Sequence, residues 1–213
     1  MSEQQRKTPD ELIAEYSEYL EKNPDCAITT YNLGVAYLGK RDFEKAKKAF
    51  KDALQKSSEM AEAYVQLGGI AMHEGDLDTC YNFNKMATQI RPRFAVPHSN
   101  MGFVHLQKHE VDKAVACFRR AISFDPQFIQ AHASLGSAYL MQGDLVECEK
   151  QSNKALELEP NFGPAYNNLG LVCMERDDFE KAAEYFTKAE ESGFEVPPEI
   201  KEELESKLGE EAG

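Results

Sequence analysis

The chain has 213 residues, 42% of them hydrophobic and 29% charged, with a net charge of −13 and five cysteines. So acidic a protein is a poor general binder of nucleic acid, because phosphate repulsion dominates. It carries no apolar run long enough for a signal peptide or a membrane span, which predicts a cytoplasmic protein without direct membrane insertion. Residues 1–7 read as a disordered tail. Thr8, Pro9 and Glu11 then make a capping-box-like helix start. Leu12, Ile13, Tyr16, Tyr19 and Leu20 follow on one face, so 8–26 read as an N-terminal capping helix, the lone second helix of a degenerate unit.

From residue 27 the chain repeats itself. Gly34, Gly68, Gly102, Gly136 and Gly170 stand 34 residues apart, each after a large apolar residue. Ala53, Ala87, Ala121, Ala155 and Ala189 keep the same period, as do the small residues Ala46, Cys80, Ala114, Cys148 and Ala182. The period defines five copies, at 27–60, 61–94, 95–128, 129–162 and 163–196. Within a copy, two stretches of helical periodicity flank a short break. The break holds Gly75-Asp76 and Gly143-Asp144, where glycine suits a left-handed C-cap and aspartate caps the next helix. Pro126 and its counterparts stop the second helix. Glycine inside a helix costs about 1 kcal/mol relative to alanine, and close approach of the partner helix explains why it recurs. After the last copy, Pro197 and Pro198 open a C-terminal capping helix over 197–208, with Ile200, Leu204 and Leu208 as its stripe, and 209–213 read as a second disordered tail.

The 34-residue period, Leu-Gly in the first helix, alanines with an aromatic in the second, and a closing proline resemble the tetratricopeptide repeat family, over about four-fifths of the chain. The resemblance implies an all-α, right-handed superhelical solenoid of antiparallel helix pairs. The copies depart from the family at the fourth position, which lacks tryptophan, and at the twenty-fourth. There Phe50, Phe118 and Phe186 of the odd copies give way to Asn84 and Ser152 in the even ones. That alternation points to duplicated pairs of copies or to looser even hairpins.

Other motifs fail on context. Gly34 to Lys40 mimics a phosphate loop, but Arg41 follows where Ser or Thr is needed and the stretch lies in a helical hairpin. His105 and His109 have the spacing of helical metal ligands without a third partner. Cys80, Cys148 and Cys173 take small or core positions, as buried hydrophobes do. No catalytic constellation is present, so neither an enzyme nor a cofactor or metal site is expected.

The family resemblance implies that the first helices line a concave wall with the second, fifth, sixth, ninth, twelfth and thirteenth positions of each copy. The sixth positions are Asn32, Gln66, Asn100, Ser134 and Asn168, resembling the asparagine ladder in the repeat domain of O-linked N-acetylglucosamine transferase. Carboxamides offer a donor and an acceptor together, as an extended backbone requires. Tyr31, Val35, Val65, Phe103, Asn167 and Leu171 stand beside them as peptide-binding candidates. Only Glu62, His73 and Glu175 can carry charge near neutral pH in that lining. Co-chaperones of the family clamp terminal carboxylates with lysine and arginine there, so that role is disfavoured. The expectation is an adaptor or assembly factor holding an extended, largely apolar protein segment. The alternative is self-association through head-to-tail docking of the N-terminal helix.

Overall fold

The computed structural model describes residues 7–211, and all regular structure there is helical. Of the expected tails, residues 1–6 and 212–213 lie outside the described residues, whereas Lys7 pairs with Glu15 at 2.6 Å. The final helix also runs past 208. The helices are α1 (Pro9–Lys22), α2 (Ala27–Gly39), α3 (Phe43–Lys56), α4 (Ala61–His73), α5 (Leu77–Ile90) and α6 (Ala95–Gln107). They continue as α7 (Val111–Phe124), α8 (Ile129–Met141), α9 (Leu145–Leu158), α10 (Gly163–Met174), α11 (Phe179–Glu191) and α12 (Pro198–Glu211). α12 passes Leu208 because only a single glycine, Gly209, follows, and one glycine costs a helix about 1 kcal/mol.

Local chemistry sets each start and stop. Thr8 and Glu11 form the reciprocal capping box of α1, with Thr8 N–H donating to Glu11 Oε2 at 2.7 Å. Asp42, Asp76 and Asp144 cap the second helices of their copies by accepting from the backbone N–H groups of Lys45, Thr79 and Glu147. Every break closes the same way, with a backbone N–H reaching the carbonyl five residues back, as from Asp76 to Ala71 at 2.9 Å. This closure needs a left-handed residue. Gly75 and Gly143 supply it at φ 77 and 75, while Arg41, His109 and Asp177 adopt φ 57 to 58 in the odd copies.

The chain divides into two compact units, residues 1–101 and 102–213, with the boundary inside α6. In the first, Ala46 and Phe50 of α3 pack with Leu67 and Ile70 of α4, flanked by Tyr31, Tyr37 and Phe43. In the second, Ala114, Val115 and Phe118 of α7 meet Leu135, Ala138 and Tyr139 of α8 and Val172 of α10. A further cluster joins Cys173, Phe179 and Phe186 to Val196 and Leu204, so α12 closes the last copy.

The repeated glycine is explained by what faces it. A Cβ at Gly34 would stand 2.6 Å from Phe50 Cε1, and one at Gly170 2.5 Å from Phe186 Cε1. The phenyl ring of the second helix packs directly against the bare backbone of the first. Even copies use a different filling. Asn84 is completely buried and donates to Cys80 O at 2.8 Å, while its Oδ1 accepts from Asn100 of the next copy at 3.0 Å. In copy 4, Ser152 leaves more room and Asn168 of copy 5 comes in to share it, its Nδ2 only 3.0 Å from where a Gly136 Cβ would be. A ring lost in one copy is thus matched by an asparagine gained in the following one.

Candidate functional site

Two walls carry the candidate residues, one in each unit. In the first, α2 presents Ile28, Tyr31 and Val35 at helical spacing, with Ile28 67% and Val35 41% exposed. Tyr31 leans on Phe50, ring centroids 5.4 Å apart, and its hydroxyl is 3.4 Å from Gln66 Nε2 of α4. Val65 is half-buried beside Gln66, and the space over Gly69 is open. In the second unit, Phe103 and Met141 are 36% and 50% exposed, and Ser134 is half-buried with its Oγ 3.3 Å from Gln130 Nε2. Exposed apolar side chains without charge are what a guest segment would meet.

The sixth-position side chains do not act alike. Asn168 is 3% exposed; its Nδ2 donates to Ala133 O at 2.9 Å and its Oδ1 accepts from Ser137 Oγ at 2.9 Å. Its donor and acceptor tie α10 to α8, which leaves Asn168 as a packing residue and not a free rung. Asn100 likewise donates to Asn84. Gln66 and Ser134 remain half-buried at the surface. Asn32 lines a crevice of about 150 Å³ with Pro9, Leu12 and Tyr16 of α1 and Val35, Ala36 and Gly39 of α2.

Copy 5 is taken up by the chain's own end. Leu171 and Met174 pack into the cluster that holds Leu204, and they line a crevice with Ile200, Glu203 and Lys207 of α12. Asn167 is half-buried, its Oδ1 enclosed without a hydrogen-bond donor. Leu171 and Asn168 are therefore internal contacts, because the last first-helix must cover its open side with something. The part of α1 in the first wall escaped the sequence reading. Its signal is Gly39, which leaves room for Pro9 where other copies carry His73, Gln107, Met141 and Glu175.

Away from the two walls, His105 has a local partner and two of the cysteines are buried. His105 Nδ1 lies 2.6 Å from Glu110 Oε2, and Lys113, with help from His105, holds the Glu110 carboxyl below its ordinary range. Burial pushes the thiols of Cys80 and Cys148 up to about 11, so both stay protonated and inert near neutral pH.

Three family models of the tetratricopeptide repeat match the sequence, over residues 31–79, 106–143 and 163–191. The chain is a tetratricopeptide-repeat protein, with an all-α fold of that class. Among curated proteins no sequence matches it. Solved structures do. PilW, described as a type IV pilus biogenesis factor, superposes with a TM-score of 0.76 at 21% identity, covering 86% of each chain. YrrB, described as a TPR protein with an unusual peptide-binding site, gives 0.63 at 21% identity over 83% of this chain and 91% of its own. MamA from Desulfovibrio magneticus RS-1 gives 0.65 at 24% identity over 78% of this chain and 94% of its own. Likeness at this identity establishes the fold alone. The repeat class is one of protein-interaction modules, and no helix among the described residues is long and apolar enough to cross a membrane.

Proposed function

We propose that the protein is a non-enzymatic adaptor or assembly factor that holds an extended, largely apolar segment of a partner protein against the first-helix walls. One observation carries this reading: Ile28, Val35, Phe103 and Met141 are exposed at lining positions that carry almost no charge. Gln66, Ser134 and Asn32 supply hydrogen bonds beside them, each worth about 1 kcal/mol net, so affinity rests mainly on apolar burial. Asn100 and Asn168 serve from behind by holding the helices that carry the wall. YrrB, a relative in fold, is described as having a peptide-binding site, which favours the same class of ligand. A clamp for carboxylate termini would need lysine or arginine at the lining positions, and the sequence has none there. The reading places the protein in a reducing, cytoplasmic setting where its five free cysteines remain thiols. It needs no cofactor and no nucleic acid.

Head-to-tail docking through α1 would require Leu12 and Tyr16, which this chain already seats against its own α2. The test is photo-crosslinking from position 35 or 103 in native cells, with Ile28→Glu and Phe103→Glu as comparisons. Both sites are exposed, so the variants fold normally. The reading expects one partner protein whose crosslink and co-purification disappear with either glutamate. Undiminished capture by both variants would remove the wall from the recognition surface.

A further inference from the structure

We infer that α1 is a displaceable latch on the first wall, and that a guest segment takes over the face of α2 that α1 now covers. This rests on the peptide-wall reading above and assigns its regulation. The covered face is Asn32, Val35, Ala36 and Gly39. In copy 2 the equivalent sixth position, Gln66, reaches back to Tyr31 of the preceding first helix. Among the described residues the helix ahead of copy 1 is α1, which takes the place of a preceding first helix and runs antiparallel to α2, so that Pro9 lies against Gly39 and Asp10 pairs with Lys40.

The hold is weak for three reasons. First, α1 buries none of its residues completely. α12, the cap at the other end, buries Leu204 and packs Ile200 and Leu208 beside it. Second, the ion pair Lys40–Asp10 is exposed on both sides, so solvent screening leaves it weak. Third, the crevice that Leu12 and Tyr16 line with α2 is open at the surface, so α1 covers this face of α2 only in part. What keeps α1 helical is local to it. The Thr8–Glu11 box and the Lys7–Glu15 and Lys22–Glu18 pairs make no use of α2 and survive detachment. The short link over residues 23–26 keeps the released helix close, so α1 competes at high effective concentration with any guest. A segment of low local stability over a binding face is the usual material of such gates.

Geometry supplies a lock. A Cβ at Gly39 would lie 3.6 Å from Pro9 Cβ, within the span of a disulfide. The full chain is prepared as Pro9→Cys with Gly39→Cys, with Cys26→Ser and Cys117→Ser removing the two half-exposed native thiols. The probe is a fluorescent synthetic peptide of residues 7–23, read by anisotropy. It is expected to bind the reduced protein and to bind the oxidised protein at least about tenfold more weakly, recovering on reduction. Equal binding to both forms, or none to either, overturns the latch. A second measurement needs no guest. In the unlocked chain, Ala36→Cys under α1 is expected to react with a maleimide on the order of 100-fold faster than buried Cys80 and Cys148. Labelling of all three at one rate would make α1 an integral part of the unit. Because this readout ignores the partner, it separates failure of the latch from failure of the peptide wall.

Discussion

The odd and even copies fill one and the same space in two ways. Copies 1, 3 and 5 set the ring of Phe50, Phe118 or Phe186 against the helix glycine, an apolar plug complete within one hairpin. Copies 2 and 4 put Asn84 or Ser152 there and borrow an asparagine from the next copy, Asn100 or Asn168, to finish the job. The first solution makes each hairpin self-sufficient. The second ties neighbouring copies by directional hydrogen bonds, which are worth little net when made and are expensive to leave broken in the interior. The polar hairpins are therefore joined to their neighbours at these junctions.

The sharpest break in that comparison is Phe118→Ala, which empties a fully buried ring site and is expected to cost about 3–5 kcal/mol in urea denaturation. A loss below about 1 kcal/mol there would mean that the ring is not the plug. Asn168→Ala comes next, at about 1–3 kcal/mol, since it strips a buried carboxamide from Ser137 and Ala133 O. The pair Asn84→Ala and Asn100→Ala should be non-additive by about 0.5–3 kcal/mol in a double-mutant cycle, and strict additivity would deny the junction.

The turns sharpen the comparison further. Even copies meet the left-handed position with glycine, whereas Arg41 and His109 adopt it with side chains. Arg41→Gly and His109→Gly are each expected to stabilise by about 0.5–1 kcal/mol, and Gly143→Ala to destabilise by about 1 kcal/mol or more, measured as shifts in the thermal midpoint. The smallest effect is on the caps. Lys45 and Thr79 hold the carboxyls of Asp42 and Asp76 below the ordinary aspartate range. A depressed carboxyl stabilises the fold above its unfolded value of 3.8, and that contribution fades as pH falls through the lower, folded value. Asp76→Asn should flatten the acid limb of the stability profile, and an unchanged limb would assign it to other carboxyls.

Much was legible because it follows from short-range rules. The 34-residue spacing of glycine and small residues, Asp76 and Asp144 after their glycines, and Thr8 with Glu11 each prescribe local geometry within one turn of helix. Five copies in register then leave one way to bury the apolar faces, which is to stack. At the lining positions that the family resemblance implies, Val35 and Phe103 are exposed, as are Ile28 and Met141.

Which polar side chains stay at the surface and which face a neighbouring helix is settled only by packing. Asn32, Asn100 and Asn168 share one position in the repeat, yet one lies beside α1, one meets Asn84 and one joins Ala133 to Ser137. The identity of a residue fixes its hydrogen-bonding capacity, but the partner depends on what the adjoining copy leaves open. The same holds for α1 and α12, whose amphipathic faces announce that they cover something without saying which helix lies beneath. Periodicity is local information carried by the chain itself, whereas the choice among equivalent surfaces is a competition for buried area and satisfied polar groups, decided only when all the copies are in place.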